Sequence, residues 1–229
     1  METVNSSKEL QDYLLEHQDD LVVHIIQFNQ LMSRYQAAIK EISTKLEILK
    51  IDFQIRNQRN RIETIQSRIK KPVSILKKMN KKGVEMDLET IRTELNDVAG
   101  VRVICPFIDD IYMVADKLTA QDDIRLIDVK DYIKNPKPNG YRSYHMIVEV
   151  PVFFMDRKEW MRVEVQIRTV AMDFWASLEH QIKYKKDVAD GEQLVRDLKR
   201  CADTIAETDQ KMLELRKRIL QADSDRKTP

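Results

Sequence analysis

The stretch that decides the fold is Met161–Arg168, MRVEVQIR, in which apolar and polar side chains alternate without a break. Successive side chains of a β-strand point to opposite faces of a sheet, so this alternation predicts a strand with one apolar and one charged face. We expect the apolar face to lie on a core. Taken alone, the charged face is most simply interpreted as a face exposed to solvent.

Three more segments are predicted as strands, and each carries polar side chains on one side. Arg102 is the lone charge in the apolar strand Val101–Cys105. The other polar positions are Gln66, Arg68 and Lys70 in the strand Ile62–Lys70, and Ser143, His145 and Glu149 in the strand Ser143–Val150. Polar faces on several strands of one sheet favour a catalytic surface over a face that is merely exposed to solvent.

Helices are predicted between and around these strands. Pro72, a residue tolerated at a first helical position, opens a basic helix that runs to about Lys82 and ends at Gly83. Further elements are predicted at Asp87–Glu94 (helix), Asp109–Leu118 (helix) and Ile124–Val129 (strand), and helices return at Ala171. The predicted fold class is therefore α/β (α+β), with a small mixed sheet of four or five strands flanked by helices.

Two long helices with apolar seams flank this centre. Large apolar residues recur at spacings of three and four from Ile25 to Phe53, a pattern typical of a helix that packs against a partner. The second seam consists of Leu198, Cys201, Ile205, Met212, Leu215 and Ile219. The seams cover the central domain, form a subunit interface, or do both. We divide the chain into a helical extension (1–60), a catalytic domain (61–186) and a C-terminal helix (187–229).

The composition argues against several classes of protein. Only four of the 229 residues are glycine and 34% are charged, which together with regularly spaced apolar residues indicates long solvated helices. A net charge of +1 does not support RNA or an anionic membrane as the main partner. We expect a cytoplasmic protein, because the sequence shows no signal peptide, no membrane-spanning apolar run and no metal-binding cysteine motif.

Positive charge is concentrated between residues 68 and 82. A helix N-terminus, a hydroxyl group and several cations together form a good site for a polyphosphate. The residues concerned are Arg68, Lys70, Lys71, Ser74, Lys77, Lys78, Lys81 and Lys82. A lysine-rich helix alone is usually a solvated face, and the chain has neither a GxxxxGKS/T loop nor a GxGxxG fingerprint.

Two acids are candidate ligands for Mg²⁺, which prefers one or two carboxylates together with substrate oxygens and water. Asp97 precedes the strand that carries Arg102, and Glu164 lies on the charged face of its strand. The adjacent Asp109 and Asp110 form a rival site, although either is more simply the N-cap of the helix that begins there.

The loop rich in proline and asparagine before the strand Ser143–Val150 has the strongest features of a ligand site. Gly140 lets the backbone turn and approach a ligand closely. Tyr141 follows at the loop edge, where an aromatic ring has little core to fill and is suited to stacking on a nucleobase. Lys137, Arg142 and His145 are expected in the same region, the two cations as partners for phosphates.

Four motifs resemble the synthetase domain of the RelA/SpoT family. They are RIKKPVSILKKM at 68–79, NDVAGVRV at 96–103, GYRSYH at 140–145 and EVQIRT at 164–169, in the family's order. The flanking helices and EISTKLEIL at 41–49 are similar to the small alarmone synthetases, within them the RelP-like branch.

The resemblance implies a nucleotidyltransferase-like fold and a GTP/GDP pyrophosphokinase. Such an enzyme transfers the pyrophosphate of ATP to the ribose 3′-hydroxyl of GDP or GTP and thereby makes (p)ppGpp. The resemblance also implies Mg²⁺ as the cofactor and a homotetramer. Because the sequence contains no His-Asp pair of the family's hydrolase site, we expect synthesis without hydrolysis.

The resemblance also implies roles for individual residues. Asp97 and Glu164 match the magnesium ligands, and Glu164 also matches the base for the 3′-hydroxyl. Arg68 and Arg102 match the arginines that sandwich adenine, with Lys70, Lys71, Ser74 and Lys77 near the ATP phosphates. The guanine-nucleotide side is matched by Lys137, Gly140, Tyr141, Arg142, His145 and Gln166, with Tyr141 as the stacking ring. Asp173 stands where many members carry Asn.

Two other functions stay open at this point. A non-catalytic helical adaptor or RNA-binding module would explain the basic helix and Tyr141, but not the acids Asp97 and Glu164. A nucleotidyltransferase that modifies tRNA or a small molecule would use a related fold and a similar two-acid metal site.

Overall fold

A computed structural model describes residues 18–57, 59–184 and 191–227 of the chain. Within these ranges it contains six helices and five strands, and every helix and strand predicted above is present. In chain order they are α1 (Gln18–Asn57), β1 (Thr64–Ile69), α2 (Pro72–Lys82), α3 (Leu88–Glu94), β2 (Ala99–Cys105), α4 (Ile108–Thr119), β3 (Arg125–Asp131), β4 (Tyr144–Phe153), β5 (Lys158–Thr169), α5 (Val170–Tyr184) and α6 (Gly191–Lys227).

The five strands form one mixed sheet in the order β1-β2-β5-β4-β3. β2 and β5 run parallel, and the other neighbouring pairs are antiparallel. The predicted α/β class with four or five strands is confirmed. The MRVEVQIR stretch lies in β5, the central strand of the sheet, so its side chains have neighbours from β2 on one side and β4 on the other.

The apolar face of the sheet carries the main hydrophobic core. Met161, Val163, Val165 and Ile167 are buried there, as the alternation predicted. Helix α1 crosses this face and buries Tyr35, Ile42 and Leu46 in the same cluster. The central part of the N-terminal seam therefore covers the catalytic sheet, whereas Ile25 near its start is 51% exposed.

Helix α6 packs with a different stripe from the one we predicted. Its buried residues are Leu198, Ala202, Asp209 and Leu213, while Cys201, Met212, Leu215 and Ile219 are exposed. Of the two roles predicted for this seam, covering the central domain does not apply to these four positions, and their role in a subunit interface stays a prediction. In the structure the helix approaches its neighbours through a small residue, Ala202, and through Asp209, which accepts a hydrogen bond from Thr169 Oγ1 (2.5 Å).

The β4–β5 hairpin is longer than predicted. The strand was predicted to end at Val150, directly before Pro151, and proline lacks the N–H group that a sheet ladder uses. In the structure Pro151 pairs with Trp160, and the ladder continues to Phe153 and Lys158. Within the described ranges, no helix combines the length and the apolar character that crossing a membrane requires.

Candidate active site

The polar face of the sheet is a continuous surface built from four strands. Register places His145 beside Gln166, Gln166 beside Arg102, and Arg102 beside Gln66. In the neighbouring row Glu164 lies beside Gly100, and Gly100 beside Arg68. Because Gly100 has no side chain, the polar face of the sheet is open between Arg68 and Glu164. Arg68 and Glu164 line a cavity at this place together with Arg102 and Gln166.

Glu164 is held by neighbours on both carboxylate oxygens. Gln166 Nε2 donates to Oε2 at 2.9 Å, and His145 Nδ1 lies 3.4 Å from Oε1. Burial of the carboxyl group raises its pKa, but the hydrogen bond and charge of His145 and the hydrogen bond from Gln166 outweigh this effect and lower the pKa of Glu164. An ionised carboxylate that faces a cleft can accept a proton, and its two neighbours fix its position.

Asp97 faces the same cleft, which has a volume of about 230 Å³. Lys70 Nζ donates to Oδ2 at 2.7 Å, and Lys78 Nζ lies 2.8 Å from Oδ1. Burial raises the pKa of Asp97, and the two lysines outweigh that effect and lower it. Both carboxylate oxygens of Asp97 therefore face ammonium groups, Oδ2 that of Lys70 and Oδ1 that of Lys78.

The residues at this cleft fit Mg²⁺. Asp97 and Glu164 supply two carboxylates to one cleft, and Mg²⁺ takes one or two carboxylates while substrate phosphates and water complete its shell. In the part of the chain that the structure describes, no group of three or more acidic, histidine or cysteine side chains forms a ready-made metal site.

Helix α2 begins at Pro72 and ends at Gly83, in the left-handed conformation (φ +67°), as predicted. Lys78 and Lys82, two members of the basic cluster predicted from the sequence, line the cleft with Asp97. Lys78 is spaced four residues from Ser74, which places both on one helix face. Lys71, Ser74 and Lys77 are all exposed, and Lys77 lies about 100° around the helix from Lys78.

The loop before β4 is fastened to α5 and α6. Gly140 has φ +87°, and a Cβ atom added there would lie 2.6 Å from the Ala202 Cβ atom. Asn139 Nδ2 donates to Glu179 Oε1 at 3.0 Å. The close approach that we predicted at Gly140 therefore exists, but it is made to α6.

Arg142 is bound to the same helix. Its guanidinium donates to the Ala202 carbonyl oxygen (3.2 Å) and to Asp203 Oδ1 (3.0 Å). We predicted a phosphate partner for Arg142; in the structure Asp203 takes that place. Lys137 remains over the aromatic rings, with Nζ 4.7 Å from the ring centroids of both Tyr132 and Tyr141.

Tyr141 has more neighbours than we expected of a residue at a loop edge. Its ring meets Tyr132, His145 and Trp175 at centroid distances of 6.0, 5.8 and 6.4 Å. The expectation that little core surrounds this ring is wrong, because α5 and α6 bring a small second hydrophobic cluster against it. Its role in stacking on a base stays a prediction.

A chain of polar contacts joins Tyr141 to Glu164. Arg168 donates to the Tyr141 hydroxyl oxygen at 2.6 Å, and this hydroxyl lies 2.8 Å from His145 Nε2. A hydroxyl oxygen has two lone pairs besides its proton, so the direction of the bond between this hydroxyl and Nε2 is set by the protonation of the imidazole. Arg168 was missing from our candidate residues, although the alternation of MRVEVQIR places it on the charged face.

The rival acids lie elsewhere. The N-cap of α4 is Phe107, so Asp109 and Asp110 fall in the first turn and the predicted capping role is wrong. Asp110 is fully buried and binds Arg59 and Arg61, and Asp109 pairs with Arg216 at 2.8 Å. These acids neutralise arginines.

Comparison with known proteins agrees with this geometry. Residues 67–189, more than half of the chain, match the family described as the region found in RelA / SpoT proteins.

The chain belongs to the RelA/SpoT family.

Among the members of the RelA/SpoT family, the chain is similar to the GTP pyrophosphokinase YwaC of Bacillus subtilis. The two are 41% identical over 208 residues, which cover 91% of this chain and 99% of that protein. In structure the chain is similar to small alarmone synthetase 2 from Bacillus subtilis, with 43% identity and a TM-score of 0.75 over 83% of this chain and 98% of that one. It also resembles small alarmone synthetase 1 of the same organism, solved with its product pppGpp, with 34% identity and a TM-score of 0.77 over 84% and 98% of the two chains.

Proposed function

We propose that this protein synthesises (p)ppGpp by transferring the β,γ-pyrophosphate of ATP to the ribose 3′-hydroxyl of GDP or GTP, with release of AMP. The observation that carries the proposal is Glu164, an ionised carboxylate fixed by His145 and Gln166 in the same cleft as Asp97. The names of its relatives support the same activity: one is a GTP pyrophosphokinase, and one structure holds pppGpp.

In the proposed reaction Glu164 accepts the proton of the acceptor's 3′-hydroxyl. The 3′-oxygen forms a bond to the β-phosphorus of ATP, the bond between that phosphorus and the α,β-bridging oxygen breaks, and AMP leaves with the electron pair. Proton removal by a positioned base typically contributes about 10²- to 10⁴-fold in rate. In-line positioning and neutralisation of charge contribute most of the remainder.

Asp97 and Glu164 would hold Mg²⁺, which when bound neutralises charge on the phosphate oxygens. Lys70 and Lys78 keep Asp97 ionised, and both lysines would be partners for the phosphates when Asp97 holds Mg²⁺. We expect Lys82, which lines the same cleft, to bind the transferred phosphates as well.

The two nucleotides occupy opposite ends of the polar face in this proposal. Adenine lies in the cavity lined by Arg68 and Arg102, and the ATP phosphates lie toward Lys70, Lys71, Ser74 and Lys77 of the β1–α2 segment. The guanine nucleotide lies toward Tyr141 and His145, with Lys137, Gly140, Arg142 and Gln166 around it. Glu164 lies in the row of the sheet between these ends, where the two reacting groups meet.

We also propose a cytoplasmic homotetramer. The support is the set of exposed apolar residues on α1 and α6, which include Ile25, Ile26, Met212, Leu215 and Ile219. Light scattering on the purified protein should give about four times the 27.1 kDa chain mass. A monomeric mass at micromolar concentration contradicts this assembly.

The activity is tested with Glu164→Gln. The amide keeps the size of the side chain but accepts no proton, so we expect AMP and ppGpp formation from ATP, GDP and Mg²⁺ to fall by at least about 10²-fold. Labelled ATP and separation of the nucleotides measure this, and far-ultraviolet circular dichroism checks the fold.

The matched control is Glu149→Gln. Glu149 is a carboxylate of β4 that accepts a hydrogen bond from Arg162, outside the proposed site. The turnover of this variant should stay within a few-fold of the wild type. Wild-type turnover in Glu164→Gln, or a wild-type protein that forms no ppGpp with Mg²⁺ and either acceptor, contradicts the proposed function.

A further inference from the structure

Asp173 lies against two arginines that belong to different halves of the site. It stands in the first turn of α5, which begins directly after β5, and is thereby folded back over the end of that strand. Its Oδ1 atom accepts a hydrogen bond from Arg168 NH1 at 3.0 Å and lies 3.4 Å from Arg102 NH1. One carboxylate oxygen thus lies between two guanidinium groups.

Arg168 depends on this carboxylate for compensation of its charge. Its side chain is only 6% exposed, and in the part of the chain that the structure describes its ion pair is made with Asp173. Its other partners are neutral: the Tyr141 hydroxyl, Gln166 Oε1 and Ser143 Oγ. A buried guanidinium without a counter-charge is strongly unfavourable, so loss of the carboxylate should displace Arg168.

Arg102 stands in a positive environment as well. Burial lowers the pKa of its guanidinium, and the charges of Arg168 and Arg68 lower it further, while Asp173 opposes them. Its Nε atom is buried and makes no hydrogen bond. Without Asp173 the two guanidinium groups of Arg102 and Arg168 would repel each other across the space that the carboxylate occupies.

In the function proposed above, the two arginines lie on the sides of the site that bind different substrates. Arg102 lines the adenine-side cavity. Arg168 holds the Tyr141 hydroxyl, and this hydroxyl holds His145 at the acceptor end. Asp173 therefore contacts one arginine at each end of the site, although neither nucleotide is proposed to contact Asp173 itself.

We propose that Asp173 is a positioning residue that fixes Arg102 for the ATP side and Arg168 with Tyr141 for the acceptor side at the same time. The inference rests on the proposed function. The inference predicts that a single substitution of Asp173 weakens the binding of both nucleotides, because Asp173 acts through Arg102 and Arg168. Substitution of Arg102 should weaken mainly ATP binding, and substitution of Tyr141 mainly acceptor binding.

The experiment measures the dissociation constants of α,β-methylene-ATP and of GDP separately by calorimetry, with Mg²⁺ present. For Asp173→Ala we expect both constants to rise at least about fivefold, because each loses a charge-paired guanidinium contact. Asp173→Asn keeps an acceptor for Arg168 but no charge, so its constants should lie between those of the wild type and of Asp173→Ala. Asp173→Glu, which restores the charge, should recover part of both.

The control is Asp116→Asn, an exposed acid of α4 that pairs with Lys117. It removes one negative charge remote from these arginines, and both constants should stay within twofold of the wild type. Steady-state kinetics give a second readout: in Asp173→Ala the KM values for both substrates should rise, while kcat at saturation changes less than either.

The inference is overturned if Asp173→Ala changes only one of the two dissociation constants, or neither. It is also overturned if kcat falls while both KM values stay constant. The proposed function fails separately, through the absence of ppGpp synthesis by the wild-type protein, whatever Asp173→Ala does to binding.

Discussion

At the scale of single residues, the environment of Glu164 decides when the site is ready to react. The residue is buried enough that desolvation alone would raise its pKa and make it a poorer carboxylate ligand near neutral pH. His145 reverses this effect. Tyr141 contacts Nε2 of His145 and is itself held by Arg168, so these three side chains support the ionised state of the proposed base.

The pH dependence of the reaction tests this relationship. A carboxylate base is active only when ionised, so activity falls as the pH drops through the pKa of Glu164, and the lowered pKa places this acid limb below the usual glutamate range. His145→Ala removes the largest contributions that lower the pKa of Glu164 and leaves the burial that raises it, together with the weaker contribution of the hydrogen bond from Gln166. We expect the acid limb of kcat/KM to move to higher pH, with a larger loss of activity at pH 6 than at pH 8.

The control for this profile is His24→Ala, a histidine of α1 beside Leu76 and Met79. Its acid limb should coincide with that of the wild type. If His145→Ala lowers activity by one factor at every pH, His145 does not set the ionisation of Glu164.

At the scale of elements, α6 fixes the conformation of the loop before β4, which contains Gly140 and Arg142. Trp175 Nε1 donates to the Leu198 carbonyl oxygen at 3.0 Å, which joins α5 to α6, and Arg142 reaches Ala202 and Asp203 from the loop. The contact between Gly140 and Ala202 has no room for another methyl group. Glycine is required at position 140 by two separate facts: its positive φ and the proximity of the helix.

A double substitution separates these two facts. Gly140→Ala should weaken GDP binding by about tenfold, because the loop must move away from α6 to avoid a Cβ–Cβ distance of 2.6 Å. Adding Ala202→Gly removes that clash but not the backbone strain, so calorimetry should find part of the affinity restored. Ala202→Gly alone serves as the control for a glycine inside a helix, which costs about 1 kcal/mol of stability. Equal affinities in Gly140→Ala and the double variant would mean that the contact with Ala202 does not explain the loss.

At the scale of the whole molecule, one core joins the N-terminal helix to the catalytic sheet. α1 spans 40 residues and buries its central residues against the apolar face opposite the site. The sheet therefore has helix α1 on one face and the proposed substrate cleft on the other. α1 supports the strands that carry Glu164 and Arg102.

The stability of this arrangement can be measured with two isoleucines of α1. Ile42 is fully buried, and Ile42→Ala should lower the free energy of unfolding by about 2–5 kcal/mol. Ile48 is 59% exposed, and Ile48→Ala should change it by less than about 0.5 kcal/mol. Urea denaturation at one fixed protein concentration measures both, since assembly makes stability depend on concentration. Equal losses in the two variants would mean that α1 does not share the core.

Sequence reasoning predicted the sheet, its polar face and the residues on that face. These depend on periodicity within one strand or helix, which the chain carries locally: alternation placed Glu164, Gln166 and Arg168 together, and Pro72 and Gly83 marked both ends of α2. The placement of Tyr141 and Arg142 was less accurate, because their neighbours come from α5 and α6, 30 to 60 residues further along the chain. Ala202 and Asp209 in the buried stripe of α6 were not predicted for a similar reason, since the surface that the helix packs against selects them.

By itself, the sequence determined that MRVEVQIR forms a two-sided strand, that two acids and a basic helix share its polar side, and which family motifs the chain contains. Only the tertiary structure decided that Asp173 lies between Arg102 and Arg168, that Arg168 reaches Glu164 through Tyr141 and His145, and that Gly140 contacts α6. The physical reason is range: alternation and helix caps depend on residues a few positions apart, whereas these contacts join segments that meet only when the whole chain has folded.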